Sequence, residues 1–290
     1  MASHAARRAV NAIAFALTAG CVIVILIPLA SLLYTAFANG GSVLSLHFLV
    51  GSPAVACTPG PGCNSGGIGP LLVGTLVLLA LASAIAVPVG VFAGVYMSEF
   101  GGRGLGRTVS FFTDVMTGVP SIVVGVFVYQ LLYLYDPRIV FSTISGSLAL
   151  AVIMIPIVAR TSEEGLRSVP THVREAALGL GIPRYRTILS VVVPSAIPAV
   201  ATGILLSVMR AGGEVAPLLF TAFGNLNGFV AFNQPVGALA PLIFDDGTSP
   251  FANLRAAAWG ATLILVVLML GISLLARLFL SNRVRVAGGG

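Results

Sequence analysis

The residues whose types and spacing most directly suggest chemistry are Arg210 and Glu214, which bracket the run Arg210-Ala-Gly-Gly-Glu214 inside a long apolar stretch. On a helix that starts near Ala196, the pair would lie roughly 21 Å along the axis, one turn apart on one face. An arginine near the centre of a bilayer costs about 2.5–3.5 kcal/mol on insertion scales, so it is retained where it faces a water-filled cavity or a partner. Its planar fork matches two oxygens of a tetrahedral oxyanion in a way that a lysine point charge does not. Glu214 would hold Arg210 in place when the site is empty and discourage tight anion binding. The plainer alternative, a pair that only neutralises itself, stays open at this point. Gly212 and Gly213 loosen the helix at this depth, which suits a cavity wall or a hinge.

Other chemistry is hard to find. His4, His47 and His172 are isolated, no pair has metal-ligand spacing, and no Gly-x-Ser-x-Gly frame occurs, so no catalytic residue and no metal site is expected. The sequence contains no lysine and therefore no Walker A loop, whose lysine neutralises phosphate charge. ATP and magnesium would have to be bound by another polypeptide, and no cofactor is expected on this chain. Gly102, Gly104 and Gly106 occupy a short basic loop with no preceding strand, which excludes a dinucleotide site. Asp245 and Asp246 read as a solvated turn with Gly247; a cation site or a contact with an external partner is the other reading.

The elements that must position these residues follow from composition. With 57% hydrophobic and 8% charged residues over 290 positions, the chain cannot present a soluble surface and belongs in lipid. A span needs about 20 apolar residues, and six such runs appear, near 12–37, 70–97, 110–134, 144–160, 194–222 and 256–280. The fourth is interrupted by Pro156 and is expected to continue past Arg160. Arg7 and Arg8 precede the first run, but it is too long for a signal h-region and has no clear cleavage site, so it is expected to be a retained anchor. With the N-terminus in the cytoplasm, Arg7, Arg8, Arg103, Arg107, Arg160, Arg167, Arg174, Arg184, Arg186, Arg277, Arg283 and Arg285 fall inside, while Arg138 and Arg255 fall outside. That asymmetry is the positive-inside pattern, and it accounts for the net charge of +6 without nucleic acid. The expected arrangement is a membrane protein of several passes with both termini in the cytoplasm.

Three units are expected: residues 1–69, an anchor helix with a Gly/Pro/Ser-rich outer loop; 70–282, one helical membrane domain; and 283–290, a cytoplasmic tail. Cys57 and Cys63 flank a Thr-Pro-Gly-Pro-Gly turn on the oxidising side, where a disulfide would close the loop; two free thiols is the alternative. Cys21 reads as a small buried apolar residue of the first span. Gly90 and Gly94 form a small-xxx-small pair that permits close helix approach.

The inner segment 161–193 is polar, helical in composition and too long for a turn, and it carries Glu163, Glu164 and Glu175. It reads Glu175-Ala176-Ala177, three residues, Gly181, nine residues, Val191, one residue, Val193-Pro194. This spacing resembles the EAA loop of type I ABC importer permeases, with valine in place of the family's Ile and Leu. Ala176 and Ala177 would give a thin helix face that enters a groove, Gly181 a sharp turn between two short helices, and Glu175 a charge for the partner. An amphipathic helix lying on the inner leaflet is the competing reading and leaves the spacing unexplained.

The run from Arg210 to Thr221-Ala222, with Val215 in place of a threonine, resembles the phosphate importer permeases of the PstA type. Gly118-Val-Pro120-Ser121-Ile-Val-Val-Gly125 and Glu163-Glu164-Gly-Leu-Arg167-Ser-Val-Pro170 resemble the same family. The resemblance covers about 70–282 and implies an all-α polytopic integral membrane protein with six transmembrane helices in the type I ABC importer permease fold. It further implies a non-catalytic subunit that translocates phosphate by alternating access. Its partners would be a second related permease, two copies of a phosphate-import ATPase and an external phosphate-binding protein. Permeation of another oxyanion, such as sulfate or molybdate, and an ATP-independent secondary transporter or channel remain as alternatives.

Overall fold

The computed structural model describes residues 4–57, 63–101, 104–222 and 224–287. Among these the chain is helical, with no β-strand and one isolated bridge between Pro53 and Gly66. The Thr58 to Gly62 turn, Gly102, Arg103 and the last three glycines lie outside the described residues, as do the side chains of Arg7, Arg283 and Arg285.

The first helix, α1 (His4–Gly40), is apolar around its whole circumference and is not covered by the rest of the chain, so Cys21, expected to be buried, is exposed on it. A short α2 (Leu46–Val50) and the disulfide-closed loop follow; Cys57 and Cys63 are bridged. Asn253 ties the loop down by donating to the carbonyls of Val55 and Asn64 at 3.1 and 3.2 Å.

The centre of the fold is the pair α3 (Gly69–Phe100) and α6 (Thr143–Arg167). Gly90 and Gly94 make this closeness feasible: a methyl at Gly94 would stand 2.5 Å from Ser162 Cβ and 2.7 Å from the Ala159 carbonyl oxygen. A methyl at Gly90 would stand 2.7 Å from Val158 Cβ. Leu78, Leu79, Ala82, Ala86, Leu150, Ala151 and Met154 fill the seam. Pro156 lies within α6 and does not end it, so the fourth span continues past Arg160 to Arg167.

The third expected span, 110–134, is not one rod. It is α4 (Leu105–Gly118) and α5 (Ser121–Tyr135), between which the chain bends by 109°. Pro120 explains the break: it lacks an N–H and drives Val119 into extended backbone, with φ −73° and ψ 129°. Among the described residues, the helices long and apolar enough to cross a membrane therefore number 5, or 6 if the bent pair counts as one span.

The expected inner loop is itself helical, formed by α7 (Thr171–Gly179), α8 (Arg184–Thr187) and a π-helical turn (Ile188–Val192) leading into α9 (Val193–Gly212). The fifth span, expected over 194–222, stops at Gly212, ten residues early. Pro217, which lacks the N–H that a continuing helix would donate to the Gly213 carbonyl, falls in the first turn of the separate α10 (Ala216–Thr221). The chain then passes through α11 (Leu239–Gly247), anchored where the Leu239 N–H donates to Thr75 Oγ1 at 2.9 Å, and ends in α12 (Ala252–Ala287).

Candidate functional site

The break before Ser121 and the early end of α9 create one cavity. Gly125 of α5 lies against α10 so tightly that a methyl there would stand 2.7 Å from Pro217 Cα, which fixes the kinked pair beside the end of α9. The resulting cavity, of about 390 Å³, is lined by Met116 and Thr117 of α4, Val119, Ser121, Val123, Val124 and Phe127 around and along α5, Val152, Ile153, Pro156 and Ile157 of α6, and Arg210. Among these lining residues Arg210 is the sole charged one. Its side chain is 60% exposed, whereas Glu214 is 14% exposed and is not part of the lining.

The expected one-turn helical pairing of Arg210 with Glu214 is corrected by the structure. The helix has ended: the N–H groups of Gly213 and Glu214 donate to the carbonyls of Arg210 and Ala211, both at 3.2 Å, in a tightened last turn. Glu214 reaches back so that its Oε1 stands 3.6 Å from Arg210 Nε, beyond hydrogen-bond length. Among the described residues no hydrogen-bond acceptor engages the Arg210 terminal nitrogens. The cavity thus offers a loosely balanced guanidinium and, at Ser121, the N-terminal end of α5, whose peptide dipoles favour negative charge. Both features favour negative charge, and the rest of the lining, Thr117 and Ser121 included, is uncharged.

The segment carrying Glu175, Ala176, Ala177 and Gly181 forms a helix, a turn and a helix. Gly181 adopts φ 79°, the left-handed conformation that allows the chain to reverse between α7 and α8. Glu175 and Ala176 face outward, but Ala177 is buried against the bundle. The expectation that both alanines form the exposed thin face is therefore corrected to Ala176 alone. Consecutive helical residues point about 100° apart, so the two alanines need not share a face, and which of them is covered depends on how α7 packs on the bundle. Two exposed apolar residues that sequence reasoning passed over complete the surface: Leu178 and Leu180, the latter 82% exposed at the tip.

Sequence reading also missed two ionic clusters at this end of the bundle. Glu163, carried by the polar segment 161–193, is 4% exposed within α6, where it pairs with Arg160 at 2.6 Å and Arg167 at 2.7 Å. Arg160 also pairs with Asp114 and donates to Ser110 Oγ at 2.9 Å, joining α6 to α4. Glu99, at the end of α3, pairs with Arg174 and faces Arg184 at 3.6 Å. The i,i+3 and i,i+4 spacing of Arg160, Glu163 and Arg167 was a readable signal; the partners of Glu99 lie 75 and 85 positions away and left none.

Asp245 and Asp246 stand at the opposite end, in α11. Burial, with the neighbouring Asp245 charge adding to it, pushes the Asp246 carboxyl up to about 6. Among the described residues no cluster of three or more His, Cys, Asp or Glu side chains is arranged to hold a metal.

Comparison with known proteins places this arrangement. The family described as binding-protein-dependent transport system inner membrane component matches residues 86–285. A phosphate transport system permease protein PstA of Xylella fastidiosa is 42% identical over 226 residues, covering 77% of this chain and 78% of that protein. The Yersinia pestis PstA is 34% identical over 96% of this chain and 92% of its own length. PstA 1 of Mycobacterium tuberculosis is 35% identical over 96% of this chain. Among solved structures, the MetNI methionine ABC transporter in an inward-facing conformation shares the fold, with TM-score 0.59, 19% identity and 73% of this chain covered. An amino acid ABC transporter has TM-score 0.53 and 22% identity over 72% of this chain and 90% of that one. With the kinked membrane helices, the EAA spacing and the match over most of its length, the chain belongs to the binding-protein-dependent transport system inner membrane components, as a permease of the PstA type.

Proposed function

We propose that this chain conducts inorganic phosphate across the cytoplasmic membrane as the permease subunit of an ATP-driven importer, with ATP hydrolysed on separate subunits. One observation carries the reading: a lone guanidinium, Arg210, is held open to a cavity whose other walls are apolar or uncharged, in a chain whose relatives are phosphate transport permeases.

In this reading the end of the bundle with α7 and α8 faces the cytoplasm, as do both termini, and the disulfide loop faces outside. A second, related permease closes the open side of the cavity. Two copies of a phosphate-import ATPase, holding ATP and magnesium, receive the exposed Glu175, Ala176, Leu178 and Leu180, and a loaded phosphate-binding protein docks outside. ATPase closure moves α7 and α8, the helices rock, and the Arg210 cavity opens to the binding protein; hydrolysis resets it. Phosphate leaves its hydration shell for two forked N–H donors, a charge-assisted contact of about 1.5–3 kcal/mol. Glu214 at 3.6 Å opposes long residence, so the contact is made and released within a cycle.

The test is radiolabelled uptake by the assembled complex in proteoliposomes, with ATP on the ATPase-facing side. ATP-dependent uptake of phosphate, undiminished by excess sulfate or molybdate, supports the reading. Preferential uptake of another oxyanion, or phosphate flux indifferent to ATP, contradicts it.

A further inference from the structure

The arginines of both short helices converge on the last turn of α3. Arg174 of α7 pairs with the Glu99 carboxylate, and its second terminal nitrogen donates to the Leu166 carbonyl of α6 at 2.6 Å. Arg184 of α8 donates to the Glu99 carbonyl at 2.9 Å and stands over the Phe100 ring, 5.1 Å from its centroid. The end of a helix is where cations are favoured, because its last carbonyls are unpaired and its dipole is negative there. The Glu99 side chain is only 7% exposed, so its charge is committed to these partners and not to water. A carboxylate shielded in this way keeps a fixed geometry, which a solvated surface pair does not.

Glu99 also lies at the end of a stiff path. Five residues before it, Gly94 is in backbone-close contact with Ala159 and Ser162 of α6, and α6 carries Ile153, Pro156 and Ile157 of the Arg210 cavity. A displacement of α7 and α8 that reaches Glu99 is therefore delivered to a pair of helices that cannot slide past each other without overlap.

We propose that Glu99 is a positioning residue for transport: it latches both short helices to α3, so that ATPase-driven motion of the segment Thr171 to Thr187 is transmitted to the cavity wall. The proposal rests on the coupling reading above and adds the element through which coupling passes.

The test uses the complete complex in proteoliposomes and measures phosphate taken up per ATP hydrolysed, with assembly verified by size-exclusion chromatography. For Glu99→Gln the expected result is an assembled complex that still hydrolyses ATP but moves about 5–150-fold less phosphate per ATP, the range of coupling between linked sites. Arg174→Gln should show a loss in the same direction, and the double variant should lose less than the product of the two single losses, because the Glu99–Arg174 pair they share is removed only once. Should Glu99→Gln fail to assemble, Arg174→Gln, whose side chain is 22% exposed, carries the test with the same criteria. An unchanged ratio in assembled variants, with only stability reduced, overturns the latch while leaving the importer reading intact. Absence of ATP-dependent uptake in the unmodified complex removes the importer reading and the latch together.

Discussion

Arg210 Nε stands 3.6 Å from Glu214 Oε1 although the helix that carries Arg210 has ended at Gly212 before Glu214 is reached. The pair is thus held by a turn, not by helical periodicity, and its looseness is built into the backbone. Two consequences can be measured.

Arg210→Lys keeps the charge and loses the planar fork. Uptake is expected to fall roughly 10–100-fold, the value of a charge-assisted bidentate contact, with normal assembly. Initial rates of labelled phosphate uptake decide it; wild-type rates for the lysine variant would mean that only the charge matters.

Glu214→Gln removes the counter-charge. The complex should retain more phosphate in equilibrium dialysis and turn over several-fold more slowly, because about 1 kcal/mol of tighter binding slows release about fivefold. A variant that binds no better would show that Glu214 does not oppose the anion.

Gly181 tests the coupling turn. At φ 79° a valine meets about 1–2 kcal/mol of backbone strain although no neighbour lies within 4 Å, so Gly181→Val should disturb the α7–α8 reversal without touching the core. Binding-protein stimulation of ATP hydrolysis should be lost in Gly181→Val and in Glu175→Lys. Normal stimulation in both would remove this segment from the coupling route.

The α3–α6 seam should tolerate no side chain at Gly94. Gly94→Val is expected to destabilise the fold by about 1–3 kcal/mol or more through overpacking, which a lowered thermal unfolding midpoint in detergent would report. An unchanged midpoint would mean that the helices separate at little cost.

Asp246 supplies a pH dependence. Its carboxyl titrates near 6 in the fold against an ordinary 3.8, so the folded state holds the proton more tightly. Its contribution to stability is complete below the ordinary value and is lost as pH rises through about 6. Asp246→Asn should therefore raise the unfolding midpoint at neutral pH and change it little below pH 3.8, where the carboxyl is protonated in both states. An equal effect at both would place the cause elsewhere.

The apolar runs and the arginine pattern were legible because lipid imposes length and composition on any helix that crosses it. The EAA spacing located the α7–α8 reversal to the residue, since a positive φ requires a glycine such as Gly181. Two boundaries were missed where composition stayed apolar while the backbone changed: Pro120 divides the third run, and Pro217 stands behind the early end of the fifth. Both prolines were visible, but hydropathy outweighed them. Which alanine faces inward, and which arginines meet Glu99, depends on how distant helices pack, and no local pattern encodes that. The burial of Glu163 depends on packing likewise, since α6 continues beyond the apolar run and sets its carboxylate between Arg160 and Arg167.

The most direct measurement of the central claim is ATP-driven uptake of labelled phosphate by the complex carrying Arg210→Ala, with assembly and ATP hydrolysis verified in the same preparation. The account predicts an assembled, ATP-hydrolysing complex whose uptake falls roughly 10–100-fold or more. Uptake at the wild-type rate would contradict it, because phosphate would then cross without the one charged group that lines the cavity.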